Sequence, residues 1–167
     1  HPSDRTHTRV ILLASEDIGV VFTGAESHAS SDPFLGRNAL DAMISLFTSV
    51  ALWRQQLPIG ARVHGIITDG GRAPNIIPGR TGASFMLRAR DQETYERIKA
   101  RFEDLVRAAA LAADCTSEVT FSGSSSAMRD NEVLVGLWSA NMRAIGIGDG
   151  APIPELAGSS DMGNVSM

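Results

Sequence analysis

Three residues of this chain are of types that could do chemistry together: His28 in "GAESHASSDPFLGRNALDA", Asn75 in "PNIIP" and Arg88 in "FMLRAR". A guanidinium offers a planar fork to a carboxylate, an amide adds a hydrogen bond, and an imidazole can donate to an oxygen that gains negative charge. Gathered on one side of a sheet, the three would suit a ligand that carries a carboxylate and a polarised carbonyl. Each also has an ordinary role open to it. His28 can be a solvated turn residue, Asn75 can close a turn through its side chain, and Arg88 can be a solubilising charge on an exposed strand face.

The elements that must position these groups follow from periodicity. "SEDIGVVFTG" alternates Ile18, Val20 and Phe22 on one face with Asp17, Gly19, Val21 and Thr23 on the other, as a half-buried strand does. After the histidine loop, Leu40, Met43, Phe47, Val50 and Arg54 recur at helical spacing, with Ala39, Ala42 and Leu46 widening the stripe, and Leu57-Pro58 ends the helix. "ARVHGIITDGG" is a second strand stopped by glycines. "ASFMLRARD" is a third, with Phe85, Leu87 and Ala89 on one face and Met86, Arg88 and Arg90 on the other. Asp91 caps a second helix through Tyr95, Ile98, Phe102, Leu105, Val106 and Ala109, and "SEVTFSG" supplies a fourth strand.

This order predicts an α+β fold of the ferredoxin-like βαββαβ kind, a four-stranded antiparallel sheet with both helices on one face, over residues 15–122. The other face is left open and carries Arg88. "RVHGIIT" is a flat, apolar edge that a second copy of the chain would hide, so a homodimer through this edge strand and a helix is expected. Residues 1–14 and 123–167 read as segments outside this core. In the latter, "SGSSSAMRDN" leads to a helix through Leu134, Leu137, Trp138, Asn141 and Ile145 that ends at Gly146 and Gly148, and the tail is a Gly-, Pro- and Ser-rich stretch without periodicity. Trp53 and Trp138 lie on helical stripes and read as core or interface residues.

Composition narrows the function classes. With 167 residues the chain suits one core, since domains usually run to roughly 100 to 150 residues. Fifteen basic against 19 acidic residues, a net charge of −4, leave no basic surplus for phosphates, so nucleic acid is not an expected partner. No apolar run approaches the roughly 20 residues that cross a bilayer, so no membrane partner is expected. The single cysteine, Cys115, excludes an intrachain disulfide and fits the cytoplasm. The chain opens on His-Pro-Ser, so a natural N-terminus upstream is expected.

The stretches "GAESHASSDPFLGRNALDA", "RQQ", "RVHGII", "GGRAPNIIP" and "FMLRAR", in this order and spacing, closely resemble the inserted dimerisation, or lid, domain of the zinc-dependent amidohydrolases and peptidases. That family includes aminobenzoyl-glutamate hydrolase, Xaa-Arg dipeptidase, aminoacylase and carboxypeptidase G, and the first two are the branch most similar to "SHAS" followed by "PNIIP". The tail "GSSDMGNVS" is similar to the loop by which the family's chain re-enters its catalytic domain. The resemblance implies that residues 1–14 and 123–167 are incomplete pieces of that domain. It further implies that His28 stabilises the oxyanion of a tetrahedral intermediate, often in the partner subunit's site, and that Asn75 and Arg88 hold the substrate's terminal carboxylate. The opening "HP" is similar to the end of a metal-ligand segment, so the resemblance makes His1 a zinc ligand at the hinge.

The departures matter equally. The family's Glu-Glu pair, with its general base, is missing, and no histidine follows His64. A catalytic zinc takes about three protein ligands and a water, and here only His1 matches one, so one or two divalent ions would be bound mainly by residues outside this sequence and the fragment alone is expected to be inactive. The reading is the lid of a hydrolase that cleaves an amide bond next to a free carboxylate, in a dipeptide, an N-acyl amino acid or an aminobenzoyl-glutamate type substrate. The alternative is a non-catalytic ferredoxin-like module for small-ligand binding or dimerisation. His64 reads as an edge-strand residue and His7 as solvated linker, while Asp161 is left open between a role near the site and a turn.

Overall fold

The computed structural model describes residues 9–148 and 158–167. Strand β1 (Ala14–Thr23) shows the expected alternation: Ile18, Val20 and Phe22 are fully buried, while Asp17 and Thr23 are exposed. It lies between β5 (Arg80–Ala89) and β6 (Thr116–Ser125), and β3 (Arg62–Asp69) pairs with the far side of β5. The sheet order is β3-β5-β1-β6 and every neighbouring pair is antiparallel. Two further short strands, β2 (Ser27–His28) and β4 (Ile76–Ile77), form a separate ladder.

Helices α1 (Ala39–Trp53) and α2 (Gln92–Ala112) cover one face of the four-stranded sheet. The Phe85 ring of β5 packs between one aromatic from each helix, 4.8 Å from the Phe47 centroid and 5.0 Å from that of Phe102, which places both helices on the same side. Both start as their sequences dictate. Asn38 Oδ1 accepts the Leu40 N–H at 3.0 Å, and Asp91 Oδ1 accepts that of Thr94 at 2.7 Å. The Thr81 hydroxyl, fully buried, donates to the Ala39 carbonyl at 2.9 Å and fastens the start of α1 to the sheet.

The core face holds one carboxylate. Glu16, 8% exposed, accepts hydrogen bonds from the Tyr95 hydroxyl and, at 2.8 Å, from Lys99 Nζ, whose ammonium also lies 3.9 Å from the centre of the Phe121 ring. A buried charge is tolerated where it is paired and hydrogen-bonded. Burial and the neighbouring Glu16 charge push the Tyr95 phenol well above its ordinary range.

The flanking segments meet at one end of the sheet. Leu13 N–H donates to the Gly158 carbonyl and Met128 N–H to that of Leu12, both at 3.0 Å. Helix α3 (Glu132–Ala144) is capped by Asn131 and held to the entering strand through Arg9, which pairs with Asp130 at 2.9 Å and with Glu132. It buries none of its own residues, and Leu134, Leu137 and Trp138 stand out into solvent. Part of the tail is helical where the sequence showed no period: α4 (Met162–Val165) is a single turn, too short to display one. It docks against β6 through Asn164, whose Oδ1 accepts the Ser126 N–H at 2.7 Å, and Gly163 is needed there because a Cβ would overlap the Ser126 carbonyl. Asp161 accepts the Ser160 hydroxyl at 3.1 Å and its carbonyl accepts the Asn164 N–H at 2.9 Å, so it forms the turn before α4. His1 and His7 lie outside the described residues.

Candidate functional site

His28 is placed by the β2–β4 ladder, in which it stands opposite Ile76. The loop that carries it is tied down at several points. Gly24 N–H donates to the Gly79 carbonyl at 2.8 Å, Ala25 and Arg37 exchange backbone hydrogen bonds, and the Ser27 hydroxyl donates to the Asp32 carbonyl. The imidazole is exposed and is held by Nδ1, which accepts the backbone N–H groups of Ser30 at 3.3 Å and Ser31 at 3.2 Å. A backbone N–H can only donate, so Nδ1 is the acceptor and the ring proton of the neutral imidazole is assigned to Nε2, on the outward side. The sequence "SHASS" therefore presents a fixed N–H donor to whatever approaches this surface.

Asn75 lies beside it. Its carbonyl accepts the Ala29 N–H at 2.9 Å, while its exposed side-chain amide makes no hydrogen bond to any described residue. A hollow of about 500 Å³ opens next to both, between Ala29, the 70–74 loop, Leu40 at the start of α1, and Pro78. The structure brings the loops of His28 and Asn75 together at the Thr23–Arg80 end of the sheet.

Arg88 does not join them, and the expectation of a three-group convergence within one chain is corrected. It sits on the open face, as expected, but at the opposite end of β5. Its register partners are Ser15, near the start of β1, and Arg62, at the start of β3. It lies eight residue steps along the strand from Arg80, roughly 26 Å of travel. A dipeptide spans only about 7 Å. The two ends of this sheet therefore cannot grip one small substrate.

Arg62 is a residue that sequence reasoning missed; its signal was available, because a β3–β5 hairpin in this register sets it opposite Arg88. Two residues along the same face, the exposed His64 stands opposite Met86, and burial together with the Arg88 and Arg54 charges pushes its pKa down. No group of three or more His, Cys, Asp or Glu residues that could hold a metal ion occurs among the described residues. These residues do not make a metal centre on their own.

The peptidase dimerisation domain family matches residues 13–114, which spans the sheet strands β1, β3 and β5, both core helices and the two candidate ends. The chain belongs to that family. Human Xaa-Arg dipeptidase is 36% identical over 172 residues, covering 99% of this chain and 39% of the relative. A p-aminobenzoyl-glutamate hydrolase chain of Escherichia coli (strain K12) is 32% identical over 114 residues, covering 68% of this chain and 24% of that one. The fold matches the crystal structure of an aminobenzoyl-glutamate utilization protein from Klebsiella pneumoniae with a TM-score of 0.76 at 21% identity, over 95% of this chain and 41% of that one. This dimerisation domain and its flanks thus span about two fifths of the length of the dipeptidase relatives. The family name carries self-association with it. No helix among the described residues is long and apolar enough to cross a membrane.

Proposed function

We propose that this dimerisation domain is the lid of a zinc-dependent amidohydrolase or peptidase, and that the whole protein cleaves an amide bond next to a free carboxylate. The substrate is a dipeptide, an N-acyl amino acid or an aminobenzoyl-glutamate type compound. The observation that carries this reading is the exposed His28 imidazole, whose Nδ1 accepts two backbone N–H groups and so leaves the ring proton on Nε2, in a loop bonded to the backbone of Asn75. A preorganised donor of that kind suits an oxygen on which charge develops. Zinc would be bound mainly by residues other than those described, with His1 as one ligand, and would supply the activated water.

The separation of the two ends gives the lid a division of labour. Arg88, beside the hinge, meets the carboxylate of a substrate in its own subunit's site, while His28 and Asn75, at the far end, reach into the site of the second subunit of a homodimer. Asn75 orients the substrate there through its amide. We propose a cytoplasmic location, which the free thiol of Cys115 supports. Residues 1–14 and 123–167 belong with the catalytic part and 15–122 with the lid.

The test is an assay of the full-length protein with zinc against a panel of dipeptides and N-acyl amino acids, each as the free acid and as the carboxyl-terminal amide. Hydrolysis confined to free acids supports the reading. Hydrolysis of neither form, or of both at equal rates, contradicts it.

A further inference from the structure

Arg62 and Arg88 stand directly opposite each other on neighbouring antiparallel strands. Like charges in opposed cross-strand positions repel and weaken a sheet. Nothing in the surrounding chain offsets this, for none of the ion pairs among the described residues involves either arginine. Their own hydrogen bonds leave most of the donors unused. Arg62 Nη1 donates to the Ala61 carbonyl at 2.8 Å, and Arg88 Nε donates to the Met86 thioether at 3.2 Å, a weak acceptor.

The neighbourhood adds positive charge. Arg54, fixed by its Nε donation to the Val63 carbonyl at 3.0 Å, contributes with Arg88 to the field that disfavours protonation of His64. Asp17 is the carboxylate on this face nearest in register; it stands opposite Met86, outside ion-pair contact with either arginine. Further along the same face a shallow hollow of about 290 Å³ is lined by Asp17, His64, Ser84 and Met86, and by neither arginine. Two guanidinium forks about 5 Å apart at their backbones, with most of their donors free, form an anion site.

We propose that Arg62 joins Arg88 in a two-guanidinium subsite on the open sheet face, and that this subsite selects substrates whose carboxyl-terminal residue carries a second carboxylate. The inference rests on the reading that Arg88 meets the substrate's terminal carboxylate. Each fork then takes one carboxylate of a glutamate- or aspartate-like residue, as bidentate pairing favours. A neutral side chain leaves Arg62 without its anion, and an arginine side chain brings a further cation against two others. The preference is therefore for acidic over neutral and basic carboxyl-terminal residues.

The experiment compares kcat/KM of the full-length protein for two N-acylated substrates that differ only in ending in glutamate or glutamine. The free-acid glutamate substrate is expected to be favoured by roughly tenfold or more, the size of a charge-assisted contact. Arg62→Ala is expected to bring the ratio close to one, and Arg62→Lys to restore part of it. An unaltered ratio in Arg62→Ala overturns the proposal. Binding of glutarate and of butyrate by titration calorimetry gives a readout that needs no turnover. Glutarate is expected to bind more tightly, with an advantage that Arg62→Ala removes; equal binding of the two by the unaltered protein overturns the subsite, as does inorganic phosphate binding that matches glutarate in affinity and in Arg62 dependence. Arg62-dependent glutarate binding without any amide hydrolysis would sink the hydrolase reading and leave the subsite standing. Hydrolysis without glutamate preference would do the reverse.

Discussion

The Asn75 carbonyl accepts the Ala29 N–H at 2.9 Å, and this main-chain bond ties the loop that carries the imidazole to the loop that carries the amide. The backbones of both residues are thereby fixed, and both side chains are exposed. His28 is exposed, so its removal should affect chemistry far more than the fold. In the full-length enzyme, His28→Ala is expected to lower kcat by about a hundredfold or more, the usual consequence of losing one oxyanion donor, with an unchanged unfolding midpoint. Turnover near that of the unaltered enzyme would remove His28 from the reaction.

Arg88 should report on the substrate's carboxylate. Its hydrogen bond to the Met86 thioether is weak, so the guanidinium gives up little to turn towards an anion. Arg88→Ala is expected to reduce kcat/KM by roughly ten- to a hundredfold for free acids and much less for the matching amides. Equal losses for both would show that the residue acts elsewhere.

The buried Glu16 site makes a prediction about pH. Tyr95 is the chain's one tyrosine, so phenolate absorbance follows it alone. Burial and Glu16 raise its pKa in the folded state, so the native chain holds this proton more tightly than the unfolded chain does. The associated stability is complete below the unfolded value near 10 and is lost as pH rises above it towards the folded pKa. Denaturant unfolding is expected to show stability that declines above about pH 10, a decline that Tyr95→Phe reduces. That variant should also cost about 1 to 2 kcal/mol at neutral pH through the lost hydrogen bond to Glu16. Phenolate appearing in the folded chain at or below the ordinary pKa would contradict the arrangement.

The edge strand β3 should carry self-association. Ile66 and Ile67 are 66% and 42% exposed on an unpaired edge, an arrangement that invites strand pairing. Ile67→Asp is expected to shift the full-length protein from dimer to monomer in sedimentation measurements, and an unchanged dimer would move the interface away from β3.

Much of this molecule was legible in its sequence, and the reasons are local. Ile18, Val20 and Phe22 alternate strictly because one sheet face is buried and the other is not, and Asp91 announces α2 because a carboxylate at that position satisfies a free N–H. The ferredoxin-like order followed from such signals in sequence. What escaped notice was metric and tertiary. Strands β2 and β4 have two residues each, too few to show a period, yet they set His28 beside Asn75. The distance of Arg88 from that pair follows from the length of β5, which the residue types at the three positions do not carry. The fixing of His28 by Ser30 and Ser31 arises from a loop conformation and not from a pattern.

The division of labour between the two ends of the sheet is tested most directly by mixing full-length His28→Ala with full-length Arg88→Ala, each nearly inactive alone, and measuring turnover after subunit exchange. If Arg88 serves its own subunit and His28 the other, every mixed dimer contains one site with both groups intact, and activity should recover to about a quarter of that of the unaltered enzyme. No recovery, with mixed dimers demonstrably formed, would mean that both residues serve the same subunit's site and would contradict the assignment.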